Sequence, residues 1–319
     1  MSPEPRDFEI AIICALAREF DAVDALFDER YSHASIPKSH GDSNYYQTGR
    51  IGTSQVVLAC LPEMGKGSAA SATASLNSNF PNIRLTLVVG ICGGVPFPAE
   101  NTELFDSGRQ YPEQFVRRTG VQDTLDRSDG IVRSVLAGLQ THMKRCQFQA
   151  THIEYLRSLQ RKEPTLAVPC DTKDCLSVGC AGGLVQRGRL TTKEDPQPDL
   201  HFGPIASGDM VMKSARHRDQ LARETSVIGF EMEGAGVCGA LSCLVIKGVC
   251  DYADSHKNKV WQDYAAASAA CCAKALLDYL AQADYQRYGS YICTKNLQPS
   301  TRMNGNLLFP CWLIVDLTC

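Results

Sequence analysis

Three near-continuous apolar runs constrain this chain more than any other feature of it: FEIAIICAL (8–16), LTLVVGICGG (85–94) and LSCLVIKGVC (241–250). Each is about as long as a strand, and none alternates polar with apolar residues. That is the pattern of a strand covered on both faces of a parallel sheet. The first opens directly into AREFDAVDALF, where Phe20, Val23 and Leu26, with Phe27, recur at helical spacing. GRIGTSQVVLACLP predicts a turn and a further strand returning like a hairpin, and GKGSAASATASLNSNF a helix rich in small residues. Strand and helix alternate in this way through the first hundred residues, which predicts an α/β fold, a single doubly wound mixed sheet flanked by helices.

The middle of the chain is less legible. Helices are expected over about 129–146 and 153–161, separated by loops with Pro, Asp and Gly. Order returns at FGPIASGDMVM, then a helix KSARHRDQLARET, a strand in SVIGFEMEGAG running into a helix, and a long Ala-rich helix in VWQDYAAASAACCAKALLDYL. Residues 7–284 read as one domain and 285–319 as an appended tail without usable periodicity, though it holds the apolar cluster FPCWLIVDL.

A formal net charge of -3 leaves no broad basic surface for a phosphate backbone or an anionic membrane, so neither nucleic acid nor membrane is an expected partner. No basic region followed by an apolar stretch opens the chain, and no run reaches bilayer length, so a soluble cytoplasmic protein is expected. Fifteen Cys are scattered through apolar runs, where the residue behaves as a small hydrophobe, and reduced thiols are expected. Cys170, Cys175 and Cys180 lack the paired spacing of a zinc ribbon, so no metal is assigned. GICGGVP lacks the full dinucleotide fingerprint and GKGSAAS the order of a phosphate loop, so no organic cofactor is assigned either. His217 and His256 lie in polar runs and read as solvated.

Ligands of open α/β sheets sit outside the carboxyl ends of the strands. Four strand exits carry informative residues: Glu19 after the first, Gly90 and Gly93 in VVGICGG, Glu231, Met232 and Glu233 in FEMEGAG, and Cys250, Asp251 and Asp254 after VIKGV. Carboxylates delivered by separate strands suit cleavage of a bond that leaves positive charge on one fragment and negative charge on the other. Their bland alternative is a set of first-turn acids complementing helix dipoles.

IICALAREFDA, GRIGTSQVVLACLPEMGKGSAA, VVGICGGVP, HFGPIASGDMVM, GFEMEGAG and LVIKGVCDYADSHKNKVWQDYAAASAA together resemble the nucleoside phosphorylase and nucleosidase superfamily. Within it the resemblance points to purine nucleosidase-like domains of filamentous fungi and to methylthioadenosine/adenosylhomocysteine nucleosidases. It implies hydrolysis of the N-glycosidic bond of a purine nucleoside or nucleotide, without cofactor, in a homo-oligomer. By the same resemblance Glu19 activates water, Glu233 holds ribose hydroxyls, Met232 packs on the sugar and Asp251 donates a proton to purine N7. Glu231, Gly90, Gly93, Val211 and Cys250 are carried over as substrate-binding positions, with Cys250 standing where the methylthioadenosine branch has Ser. The family pattern follows its G-G-V-P with a core strand, whereas VPFPAENTELFDSGRQYPEQFVRRTG passes almost straight to R-T-G, so one core strand is expected to be missing. A phosphate-dependent phosphorylase and a non-catalytic nucleotide-binding, signalling or storage domain remain the alternatives.

Overall fold

The structure is a computed structural model that describes residues 3–32, 38–96, 130–169, 197–257 and 259–282, with the strand backbones at 109–110, 115–116, 307–309 and 312–316. Cys170, Cys175 and Cys180 lie outside the described residues.

The first apolar run forms β1 (Ile10–Cys14), buried at every position, and breaks at a turn into α1 (Ala17–Asp24). After a two-residue strand β2 (Glu29–Arg30), the expected hairpin is present as antiparallel β3 (Tyr45–Ile51) and β4 (Ser54–Cys60). Helix α2 (Lys66–Asn79) then leads into β5 (Leu85–Gly94), and β1 lies parallel between β4 and β5. Ile12, Ile13, Leu58, Leu76 and Leu87 are fully buried here. Truncating any one of them to Ala should cost about 2–5 kcal/mol, because a core this dense collapses only partly around the gap.

A separate two-stranded ribbon pairs β6 (Arg109–Gln110) with β7 (Phe115–Val116). Helices α3 (Gly130–Gln140) and α4 (His142–Lys162) follow, breaking at Thr141 rather than running on to 146, and α4 continues unbroken where two segments are expected. The apolar spacing that suggests two helices reflects which faces of α4 are covered: Phe148, His152, Leu156 and Leu159 are its buried positions. His152 bonds the carbonyl and hydroxyl of Ser268, tying α4 to the Ala-rich helix below.

The remaining elements are β8 (Asp199–Phe202), β9 (Ile205–Ser207), α5 (Ala215–Thr225), β10 (Gly229–Glu231), the single turn α6 (Gly234–Val237), β11 (Cys243–Asp251) and α7 (Gln262–Gln282). β11 lies parallel to β5 on the side away from β1, which puts the two longest apolar runs at the centre, where both faces are covered. β10 crosses antiparallel to the last two residues of β5 and parallel to β9. α7 is buried on almost every face because it packs against β5, β11, α1 and α4; small Ala side chains let its backbone come close. Among the described residues no helix is long and apolar enough to cross a membrane.

Residues 285–319, expected to be an appended tail, contribute two strands to this sheet. β12 (Leu307–Phe309) runs antiparallel to β9, and β13 (Trp312–Asp316) lies between β11 and β8, parallel to the first and antiparallel to the second. The main sheet thus has eleven strands. Sequence periodicity could not place β13, because a short apolar strand does not state its partner.

Candidate active site

Of the expected residues, Glu19, Glu231 and Glu233 converge from the turns after β1 and β10 on one buried lysine of β11, and Asp251 stands at the carboxyl end of β11. Glu19 sits in the first turn of α1 and is 2% exposed. One of its carboxylate oxygens accepts the amides of Ala15 and Leu16, each at 2.9 Å, and the other accepts the amide of Ile91 at 2.8 Å. The side chain therefore folds back over its own turn and reaches across to β5. Gly90 makes that reach feasible, since a Cβ there would stand 2.3 Å from Glu19 Oε1. The glycine admits the carboxylate rather than turning the chain.

Glu231 and Glu233 straddle Met232 where β10 gives way to α6. The Glu231 carboxylate accepts the amides of Glu233 and Gly234, both at 2.9 Å, and so ties the turn together. This occupies the group expected to bind substrate. Glu233 is 5% exposed, and its Oε2 accepts from Lys247 Nζ at 3.0 Å. Lys247 also stands 3.5 Å from Glu231 Oε2.

Lys247 is the central residue that reading the sequence missed. It is 1% exposed in the middle of β11, and Lys is almost never found in such a place unless paired. A lone Lys inside LVIKGVC was the available signal: a buried ammonium requires carboxylates from other strands. Burial alone would depress its pKa, but Glu233, Glu231 and Glu19 outweigh that and hold the ammonium well above the usual lysine range. Burial also pushes the Glu19 carboxyl up, and the nearby Glu233 charge adds to this, while Lys247 and the amides of Ile91 and Leu16 pull it back. Three carboxylates thus face one ammonium in a dry site, leaving an excess of negative charge.

Asp251 lies at the exit of β11, four residues beyond Lys247 on the same strand. Its Oδ1 accepts the amide of Ala253 at 2.8 Å, with Ala253 in the left-handed region at φ +53°, and Lys257 approaches its carboxylate at 3.1 Å. Gly93 stands opposite Asp251 in the β5–β11 register, and a Cβ there would meet Ala253 Cβ at 2.8 Å, so glycine leaves room for the turn. Cys250 places its thiol 3.5 Å from Asp251 Oδ2, a weak donor where the resemblance expects a hydroxyl. Burial pushes that thiol well above the ordinary range, with the Asp251 charge adding to it, so it stays protonated and available to donate. Asp254 turns away to the amide of His256 and to Arg218. Val211 is 46% exposed in the loop after β9, outside the cluster.

Reduced thiols do not describe the whole chain. Cys238, at the end of α6, and Cys243, at the start of β11, form a disulfide, since the short connection brings their backbones within 5.3 Å. It closes the loop joining the two elements that carry Glu233 and Lys247. A surface cavity of about 480 Å³ lined by Cys146, Gln149, Ile153, Arg157, Arg161 and Gln197 lies along α4 and shares no residue with the carboxylate cluster.

No protein-family model matches the chain. It is 34% identical over 297 residues to a nucleotide-binding leucine-rich repeat (NLR)-like protein of Hyaloscypha variabilis, an alignment covering 86% of this chain and 29% of that protein. The chain therefore spans less than a third of the length of that relative. It is also 24% identical over 292 residues to the 5′-methylthioadenosine/S-adenosylhomocysteine nucleosidase of Mycobacterium bovis, covering 85% of this chain and 96% of that enzyme. Among solved structures, the corresponding nucleosidase of S. pneumoniae aligns with a TM-score of 0.49 at 17% identity, covering 85% of this chain and 99% of the other. Along most of its length the chain is thus similar both to one segment of a far longer NLR-like protein and to a bacterial nucleosidase.

Proposed function

We propose that the chain hydrolyses the N-glycosidic bond of a purine nucleoside or nucleotide, releasing the free base and the ribose moiety. The observation that carries this reading is the buried cluster of Glu19, Glu231 and Glu233 around Lys247, with Asp251 farther along the same strand. An excess of fixed negative charge in a water-poor site favours a cationic sugar, which is what forms as a glycosidic bond stretches. Lys247 holds Glu233 in one rotamer, so that its free oxygen can accept from sugar hydroxyls. Asp251 donates a proton to the departing base at N7, and the displaced charge passes into a neutral leaving group.

Water adds to the sugar from the side of Glu19, which must be ionised to take its proton. Three backbone amides favour that ionised form and fix the direction of its oxygens. Phosphorolysis would instead need cations to hold phosphate beside the sugar. Among the described residues the one cation buried in the cluster, Lys247, is already taken up by two carboxylates. The resemblance to a far longer NLR-like protein supports a second reading, in which the same site binds a nucleoside as the sensing head of a larger chain without turnover.

The deciding experiment measures base release from adenosine, inosine, methylthioadenosine and ATP, with and without phosphate. Hydrolysis predicts release that does not depend on phosphate and yields the free sugar. Release only with phosphate would replace the reading with phosphorolysis, and tight binding without release would favour the sensing one.

A further inference from the structure

The strands β12 and β13 pair with the sheet in a way that their place in the sequence does not suggest. Leu307, Leu308 and Phe309 stand opposite Ser207, Ala206 and Ile205, and residues 313 to 316 stand opposite 202 to 199. The two ladders run antiparallel one after the other, with a single-residue offset between them. On the described side the offset falls at Gly203 and Pro204, between β8 and β9, residues suited to a break in a ladder because proline lacks the amide. The strand backbones 307–309 and 313–316 therefore follow 205–207 and 199–202 in turn.

β13 is also an interior strand. Trp312 to Val315 pair with Val245 to Gly248 of β11 on its other side. Among the described strands β8 has no ladder partner except β13. Removing 307–316 would leave β8 without a strand neighbour and open one long edge of β11, the strand that carries Lys247 and Asp251. It would also bare β9, whose Ser207 hydroxyl accepts the amide of Ala235 in α6, next to Glu233. Exposed strand edges recruit whatever extended chain is at hand.

We propose that the slot between β8 and β11, continued along the edge of β9, is a strand-acceptor site whose occupants are the chain's own strands β12 and β13, a separable piece that braces the strands carrying the carboxylate cluster through its main chain. This does not depend on which reaction the cluster performs. Binding is through main-chain ladders on both sides of β13, so the piece is replaceable by a free peptide of the same sequence.

The test uses the full chain with a protease site placed between residues 283 and 306, cut only after folding, so that a failure to fold is not what is read. The cut piece should co-elute with the body of the protein. An excess of synthetic 307–316 peptide should displace it, and the same peptide with Ile314→Pro should not. Stripping the piece should speed amide exchange in β8 and β11 at least tenfold and lower the melting temperature by roughly 10 °C. The proposal is overturned if the cut piece separates at once while amide exchange in β8 and β11 and the melting temperature stay as they were, or if the proline peptide displaces it equally well.

Discussion

The two acidic ends of the site are held in different ways. At one, Glu19, Glu231 and Glu233 are almost wholly buried, the oxygens of Glu19 and Glu231 are taken by backbone amides and one oxygen of Glu233 by Lys247. At the other, Asp251 stands at a strand exit, its own side chain 10% exposed, and its partner Lys257, about 29% exposed, reaches toward solvent. The difference follows from what each end must do in the proposed reaction. Groups that hold a fixed charge against a cation gain from dryness, because the interaction is not screened. An acid that gives up a proton in every turnover must recover one from solvent, and that needs a position near the surface.

Removing the cation from the dry end should have the largest effect. Lys247→Met leaves three buried carboxylates without a counter-charge, at a cost of about 3–5 kcal/mol. Thermal unfolding should then fall by roughly 6–20 °C, together with loss of activity. A shift below about 2 °C would mean that the cluster is not an ion network kept apart from water.

At the wet end the same comparison predicts a change in rate without a change in stability. Asp251→Asn keeps the shape and the acceptor for the Ala253 amide but cannot donate a carboxyl proton. The catalytic rate should drop by about 10²–10⁴ while the melting temperature moves by only a few degrees. A fully active Asp251→Asn enzyme would remove the residue from its assigned role.

The disulfide braces only the dry end. Opening the Cys238–Cys243 loop should cost about 2 kcal/mol on the chain-entropy account, or roughly 4–8 °C, visible by calorimetry with and without a thiol reductant. An unchanged transition would show that the bond does not support the α6–β11 connection.

The smallest effect is one of pH. Burial raises the Glu19 carboxyl above the usual range, so the ionised form that takes a proton from water is lost as pH falls through that raised value. The acid limb of the pH–rate profile should therefore lie above the ordinary glutamate value of about 4.3. Stability runs the other way: a raised folded-state pKa gives a contribution that is complete below the unfolded value and lost as pH rises through the folded one. An acid limb at or below the ordinary value would assign that limb to another group.

The same contrast explains what the sequence could and could not disclose. β1, β5 and β11 were legible because a strand covered on both faces must be largely apolar, and Glu19 and Asp251 stood out at the ends of such strands, whereas Glu233 follows the short β10. Lys247 was passed over as one polar letter in an apolar run, although burial makes its need for carboxylates compulsory. Gly90 and Gly93 were noticed as substrate-binding positions, but not for the room they make for Glu19 and Ala253, contacts between separate elements that no local pattern encodes. β13 was illegible for a related reason. Its pairing with β11 joins residues more than sixty positions apart, and a five-residue apolar strand carries no information about which edge it will meet.

The most direct test of the site is the structure of the Asp251→Asn variant with an intact purine nucleoside bound. The account predicts sugar hydroxyls on the free oxygen of Glu233, the purine N7 beside residue 251, and a water held by Glu19 on the opposite side of the sugar. A nucleoside seated elsewhere, or positions 233 and 251 opening into separate cavities, would contradict it.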